Sequence, residues 1–271
     1  MSYLTDTAAL LTRLATEQQA PISAAAAIVA DTLVHDGLVH VFGSGHSHML
    51  ALEGFYRAGG LAAVDPILVP SLMLHSNAVL STALERTAGI GSSLLADLQP
   101  GPHDSFILVS NSGGNRVAIE LARGARERGL SVVAIVSAAH ARSALALNAQ
   151  APGDKAPHEA PSNLIDLADV VIDNLGAVGD AATTVVGVAS PMGPTSTVTG
   201  ALRRPNTRRE GLLPPPAPGS RGGTTSSPSP SAGDSSTRAA RSTAAPGRRG
   251  TTARSVWSSR RTSSASGGSP W

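Results

Sequence analysis

The chain has 271 residues, no cysteine and 41% apolar side chains, so it can bury a core but cannot form disulfides or thiolate metal sites. Residues 1–200 carry 9 Lys and Arg against 17 Asp and Glu, a net charge of −8, whereas residues 201–271 carry 12 Arg against 2 acids, a net charge of +10. Because no signal-peptide pattern and no apolar run of about 18 residues is present, we expect a cytoplasmic protein that does not span a membrane.

The first hundred residues alternate predicted helices and strands. In chain order they are two helices over 4–34, a strand over 37–42, a helix over 46–58, a strand over 62–69 and a mostly helical stretch with polar turns over 71–98. Pro21 suits the first turn of the second helix, since no backbone N–H is needed there. Pro66 interrupts the second strand, which predicts an edge position or a bend.

The clearest repeating unit comes next. An apolar strand at 105–110, a polar loop at 111–115, an amphipathic helix at 116–128 ended by Gly129, and a second apolar strand at 131–136 follow one another. A crossover of about twenty residues between two apolar strands is typical of parallel strands buried on both faces. A fifth strand is predicted at 169–173 (DVVID), after a loop with Pro and Gly at 151–161. The fold class predicted is therefore α/β, with a doubly wound five-stranded parallel sheet flanked by helices.

The composition changes abruptly after Gly200. Residues 201–271 are mostly Ser, Thr, Arg, Pro, Gly and Ala, a composition that predicts a disordered basic tail after a folded domain over 1–200. The change falls where TSTVTG at 195–200 begins a predicted helix, which favours a frameshift in a GC-rich gene. The alternative is a genuine tail that binds nucleic acid, although Trp257 and Trp271 are the only aromatic residues among its arginines.

Two loops rich in small residues follow predicted strands and precede predicted helices. They are GSGHSH at 43–48 and SNSGGN at 110–115. Glycine lets backbone amides approach an anion, hydroxyl groups donate hydrogen bonds, and the N-terminus of the following helix adds unpaired N–H groups. We therefore predict a phosphate site where the two loops converge. The structural alternative is that Ser, Asn and Gly are ordinary turn and capping residues.

Other nucleotide, hydrolase and metal motifs do not fit these loops. His48 stands where the dinucleotide fingerprint G-x-G-x-x-G needs its third glycine, and no Walker lysine follows either loop. Met49 replaces the last glycine of the nucleophile elbow G-x-S-x-G. His46 and His48 lack a third ligand for a metal. We expect no metal and no cofactor.

The two loops resemble those of the SIS (sugar isomerase) domain family. The stretches VFGSGHSHMLALEGFYRAGG, DVVIDNLGAVGDA and GPTSTVTG resemble a bacterial subgroup of this family that is distantly similar to phosphoheptose isomerases. The resemblance covers about residues 1–200, and Asn115 stands where many members have threonine. It implies a homodimer in which the phosphate of a sugar is held by Ser44, Ser110, Asn111, Ser112, Gly113 and Asn115, with Thr195 and Ser196 beginning a helix against the site.

An aldose–ketose isomerase also needs a carboxylate or imidazole beside C1 and C2 of the sugar. Glu53, on the helix after the first loop, is the first candidate for this base; the alternative is a charged residue on the solvated face of that helix. His75, in the segment after the second strand, and His46 are the candidates for the acid partner, and the alternative for each is a structural role. Glu85, on a predicted surface turn, and Asp180, predicted to cap the helix that follows it, are weaker candidates.

The leading functional hypothesis is a sugar-phosphate isomerase. A non-catalytic phosphosugar sensor is the main alternative, because binding requires only the phosphate loops. No helix-turn-helix segment precedes Gly37, which disfavours a self-contained transcription regulator. A third possibility is an etherase or lyase that acts on an amino-sugar phosphate. The expected partners are a sugar phosphate and a second copy of the chain, without a membrane, and with nucleic acid only if the basic tail is genuine.

Overall fold

The computed structural model describes residues 3–150 and 163–201, and gives side-chain environments for all of these except 145–150. The loop predicted at 151–161 and, apart from Ala201, the tail predicted over 201–271 lie outside the described residues. The domain boundary at 200 therefore stays a prediction. None of the helices in the described ranges has the length and apolar character needed to cross a bilayer.

Helices and strands alternate along the described chain. The helices are α1 Tyr3–Glu17, α2 Gln19–Val34, α3 His48–Gly54, α4 Ala78–Leu84, α5 Ile90–Leu98, α6 Arg116–Glu127, α7 Ala138–Gln150, α8 Leu164–Leu167 and α9 Ser196–Ala201. The strands are β1 Val39–Gly43, β2 Val64–Ile67, β3 Ser105–Val109, β4 Ser131–Val136 and β5 Val170–Asp173.

The five strands form one parallel sheet in the order β2-β1-β3-β4-β5. This order confirms the predicted doubly wound fold. From β1 the chain adds β2 on one side, and it then adds β3, β4 and β5 on the other side, so the strand order reverses between β1 and β3. The edge position predicted from Pro66 is also confirmed, because β2 lies at one edge of the sheet. Ligands of such sheets bind beyond the carboxyl ends of the strands at the reversal point, which is where both predicted loops leave the sheet.

The core lies on both faces of the sheet, as continuous apolar strands require. One face packs against α5, α6 and α8, and its largest buried side chains are Phe42, Phe106, Leu108 and Val132. The opposite face packs against α2 and α3 through Val39, Val41, Val109 and Val133. The rigid sheet between these two layers positions the loops that follow β1 and β3.

One helical prediction needs correction, a second is resolved into its parts, and one helix was not predicted. The helix after the first loop ends at Gly54, earlier than predicted, because the chain turns extended at Phe55 and takes a positive φ of 43° at Tyr56. The stretch 71–98 divides into a short 3₁₀ turn, α4 and α5, with Gly89 at a φ of 88° just before α5. Helix α7 was not predicted, since its Ala-rich sequence lacks an apolar stripe.

Candidate functional site

The two small-residue loops meet at the carboxyl edge of the sheet. We call residues 43–48 the first loop and residues 110–115 the second loop. They follow β1 and β3, which are parallel neighbours, so both loops emerge side by side. The side-chain amide of Asn115 donates a hydrogen bond to the hydroxyl oxygen of Ser44 at 2.7 Å. The predicted convergence of the loops is thus present in the structure.

The first loop owes its tight turn to glycine. A Cβ atom on Gly43 would lie 2.5 Å from the backbone of Ser47, and Gly45 has a positive φ of 55°. The Ser47 N–H donates to the Ser44 carbonyl at 3.0 Å, which closes the turn. The buried His48 ring contacts the Gly45 carbonyl through Nδ1, so this histidine supports the loop.

The second loop is folded by its own backbone. The Gly113 N–H donates to the Ser110 carbonyl at 3.0 Å, and Gly113 has a φ of 63° that favours glycine. The Gly114 N–H donates to the Ser112 hydroxyl at 3.3 Å. Helix α6 then starts at Arg116, so its N-terminal end points toward this loop.

Two buried asparagines outside the loop hold its shape. The Asn163 amide donates to the Ser112 carbonyl at 3.0 Å, and the Asn174 amide donates to the Asn111 side-chain oxygen at 2.8 Å. Both asparagines are at most 3% exposed. Sequence reasoning missed them because each is a single polar residue more than forty positions from the loop, and no local pattern marks it.

Glu85 lies on a turn, as predicted, but it is half-buried and its side chain reaches the two loops. Its carboxylate accepts a hydrogen bond from the Ser44 hydroxyl at 2.8 Å and one from the Asn115 amide at 3.0 Å. Glu85 is half-buried, at the C-terminal end of α4. Three side chains from separate segments therefore form one hydrogen-bonded cluster, which we call the Ser44–Glu85–Asn115 cluster.

A third segment reaches the same edge at the start of α9. Asp180 accepts hydrogen bonds from the backbone N–H groups of Thr195 and Ser196 at 3.0 Å each, and from the Ser196 hydroxyl at 2.6 Å. The prediction that Asp180 caps a helix directly after it is wrong, because the chain there is not helical. Ser196 lines a small hollow together with Ser47 of the first loop and Asn111 of the second.

Two predicted binding residues carry buried hydroxyl groups that have no partner in the described part of the chain. These are the hydroxyls of Ser110 and Thr195, and both residues are 2% exposed. Buried polar atoms are nearly always hydrogen-bonded, to protein or to water. Each of the two hydroxyls therefore has an unused hydrogen-bonding capacity at the edge where the loops meet.

The two predicted catalytic residues lie near opposite ends of α3. Glu53 is half-exposed and forms an ion pair with Arg57. It borders an apolar cavity of about 190 Å³ that Leu50, Gly200 and Ala201 also line, on the sheet face covered by α2 and α3. His75 is exposed, and its ring packs edge-on against that of His48, with ring centres 5.5 Å apart.

Fold and loops together define a doubly wound α/β protein whose candidate binding site lies at the reversal point of its sheet. The chain belongs to the SIS domain family, whose sequence profile matches residues 2–137. This confirms the resemblance found in the sequence.

Its similarity to UPF0309 proteins extends further along the chain. It is 39% identical to one from Listeria monocytogenes over 201 residues, which cover 74% of this chain and 77% of that protein. It is 40% identical to one from Brucella ovis over 198 residues, which cover 73% and 76% of the two chains. The solved structure of phosphoheptose isomerase GmhA from Neisseria gonorrhoeae aligns at 18% identity with a TM-score of 0.42, over 63% of this chain and 81% of that one.

Proposed function

We propose that this chain binds a sugar phosphate at the carboxyl edge of its sheet and interconverts the aldose and ketose forms of the sugar. The observation that carries this proposal is the hydrogen bond from the Asn115 amide to the Ser44 hydroxyl, which joins the two loops. Membership of the SIS domain family supports a phosphosugar as the ligand.

The phosphoryl group would be held by hydroxyl, amide and backbone N–H donors of the two loops. The residues proposed for this role are Ser44, Ser110, Asn111, Ser112, Gly113 and Asn115. Support comes from the unpaired buried hydroxyl of Ser110 and from the N-terminal end of α6, which favours an anion.

Thr195 and Ser196 would complete the site from the side of α9. Ser196 shares a hollow with Asn111 of the second loop, and the Thr195 hydroxyl is buried without a partner in the described chain. Asp180 holds the backbone of both residues, so we assign it a positioning role.

The chemical step would move one proton between neighbouring carbons. A base takes the proton from C2 of the aldose, the electron pair of that C–H bond forms the C1–C2 double bond, and the C1 carbonyl oxygen takes a proton from an acid to give an enediol. The C2 hydroxyl then returns a proton to that acid as its carbonyl forms, and C1 takes the proton back from the base to give the ketose. We propose Glu53 as this base and His75 as the acid at the sugar oxygen. The ion pair between Glu53 and Arg57 must open before the carboxylate can accept a proton.

A binding-only protein is the second candidate function. The observation that favours it is the position of Glu53, whose side chain pairs with Arg57 and borders an apolar cavity. Binding by the two loops needs no rearrangement of α3, whereas proton transfer by Glu53 does. Such a protein would bind the same ligand through the same donors without proton transfer.

The test combines binding with proton exchange. We expect a panel of sugar phosphates to raise the melting temperature of the full-length protein, and one of them to exchange its C2 proton in D₂O by NMR. The variant Glu53→Gln should still bind this ligand but lose at least about a hundredfold in exchange rate, the lower limit for removing a general base.

Glu17→Gln is the matched control, because it also removes an i,i+4 pair with arginine, on α1. It should leave the exchange rate unchanged. Binding without exchange in the unmodified protein would support the sensor, and release of a substituent from an amino-sugar phosphate would support the etherase or lyase. No thermal shift with any sugar phosphate would overturn the proposal.

A further inference from the structure

Glu85 places a carboxylate among the donors that the proposed function assigns to a phosphoryl group. The position of Glu85 is fixed twice: its carboxylate binds Ser44 and Asn115, and its backbone carbonyl accepts a hydrogen bond from the Val117 N–H in the first turn of α6 at 3.3 Å. The carboxylate is thus part of the cluster between the loops.

Glu85 engages donors of the cluster that a phosphoryl group would need. A serine side chain has one donor hydrogen, and that of Ser44 goes to Glu85. The Asn115 amide donates to Ser44 at 2.7 Å and to Glu85 at 3.0 Å, and these two acceptor oxygens are only 2.8 Å apart, so both contacts lie on the same side of the amide nitrogen. While Glu85 keeps its place, the Ser44 hydrogen is engaged, and the Asn115 amide is held toward Ser44 and Glu85.

The negative charge of Glu85 also disfavours a phosphate bound at Ser44. A phosphate bound to Ser44 would stand beside the Glu85 carboxylate, and two anions at that separation repel each other. The oxygens of a carboxylate and of a phosphate accept hydrogen bonds from the same kinds of donor, so one group can replace the other in the cluster.

We propose that Glu85 is an internal competitor of the ligand: its carboxylate occupies the Ser44 and Asn115 donors in the free protein and leaves them when a phosphoryl group binds. This inference rests on the proposed phosphate site and goes beyond it, since it assigns to Glu85 control over the affinity of that site. In this scheme Glu85 makes no contact with the reacting carbons.

The experiment measures binding of inorganic phosphate to the full-length protein by calorimetry. Glu85→Gln keeps an oxygen that can accept from Ser44 but removes the negative charge. We expect it to bind phosphate about tenfold more tightly than the unmodified protein, the change that corresponds to one charge-assisted hydrogen bond. Glu127→Gln removes the same charge at the exposed end of α6 and should leave the affinity unchanged.

A double variant tests whether the competition takes place at the proposed donors. In a Ser44→Ala background, Glu85→Gln should give a smaller gain, because one shared donor is already gone. Equal or weaker phosphate binding by Glu85→Gln would overturn this inference and leave the phosphate site standing. An absence of binding by both the unmodified protein and Glu85→Gln would overturn the phosphate site as well.

Discussion

At Gly113 in the second loop, a residue distant in the chain, Asn163, limits which side chain fits. Gly113 has a φ of 63°, and a Cβ atom there would overlap the side-chain oxygen of Asn163. Asn163 is 1% exposed and uses that oxygen to accept the Ile165 N–H at 3.2 Å, so it cannot easily move away. Glycine at this position is thus required by both backbone angle and space.

We expect Gly113→Ala to lower the free energy of unfolding by about 2 kcal/mol or more, since left-handed strain and steric overlap add together. Gly45→Ala is the matched control: Gly45 also has a positive φ, but nothing lies within 4 Å of the added Cβ. Its cost should stay near 1 kcal/mol, the strain alone. Urea denaturation followed by circular dichroism measures both, and equal losses would show that Asn163 yields to the added methyl group.

At the scale of elements, helix α6 stabilises the start of helix α5 through the buried carboxylate of Glu120. Glu120, which is 8% exposed, accepts hydrogen bonds from the N–H groups of Gly89, Gly91 and Ser92 at the start of α5, at 2.9 to 3.3 Å. Burial alone would raise the pKa of Glu120, but hydrogen bonds from the Gly89 N–H, the Arg116 guanidinium and the Ser92 N–H outweigh it and hold the pKa below its usual value.

The variant Glu120→Gln should therefore lose about 1 to 3 kcal/mol of stability at pH 7, because it weakens a charge-assisted cap. The folded-state pKa is lowered, so this contribution is complete above the unfolded pKa of about 4.3 and disappears as the pH falls through the folded pKa. Urea midpoints at pH 7, 5 and 3 should show the difference from the unmodified protein shrinking toward low pH. A difference that stays constant, or one matched by the exposed Glu127→Gln, would contradict the assignment.

At the scale of the whole molecule, apolar side chains remain exposed on and after α3. Met49, Leu52 and Phe55 are 41% to 44% exposed, and three-residue spacing places Met49 and Leu52 on one side of the helix. Val198 on α9, which packs against α3, is 41% exposed. We predict that these side chains form part of the interface of the predicted homodimer.

We expect the full-length protein to have the mass of a dimer by size-exclusion chromatography with light scattering, and Leu52→Glu to reduce it toward that of a monomer. A charge at the centre of an apolar interface loses its hydration without a partner. Val34→Glu, at the exposed end of α2, should leave the dimer intact. A monomeric unmodified protein, or dissociation by both variants alike, would refute an interface on α3.

Much of the fold is predictable because strands and turns depend on nearby residues. The apolar runs at β3 and β4, the edge strand marked by Pro66 and the helix end at Gly129 follow from spacing and backbone chemistry over a few positions. The short length of α3 and the presence of α7 were not predictable in this way. No distinctive local pattern marks the end of α3, and none marks α7 as a helix.

The sequence by itself determined that two small-residue turns follow parallel strands, because strand pattern and glycine placement are local properties. Only the tertiary structure decided which other side chains join those turns. Glu85, Asn163 and Asp180 reach the site from segments that the order of strands brings together, and each pairs with atoms at least 15 positions away in the chain. Such contacts depend on the packing of the whole sheet and its helices, for which a single sequence offers no local pattern.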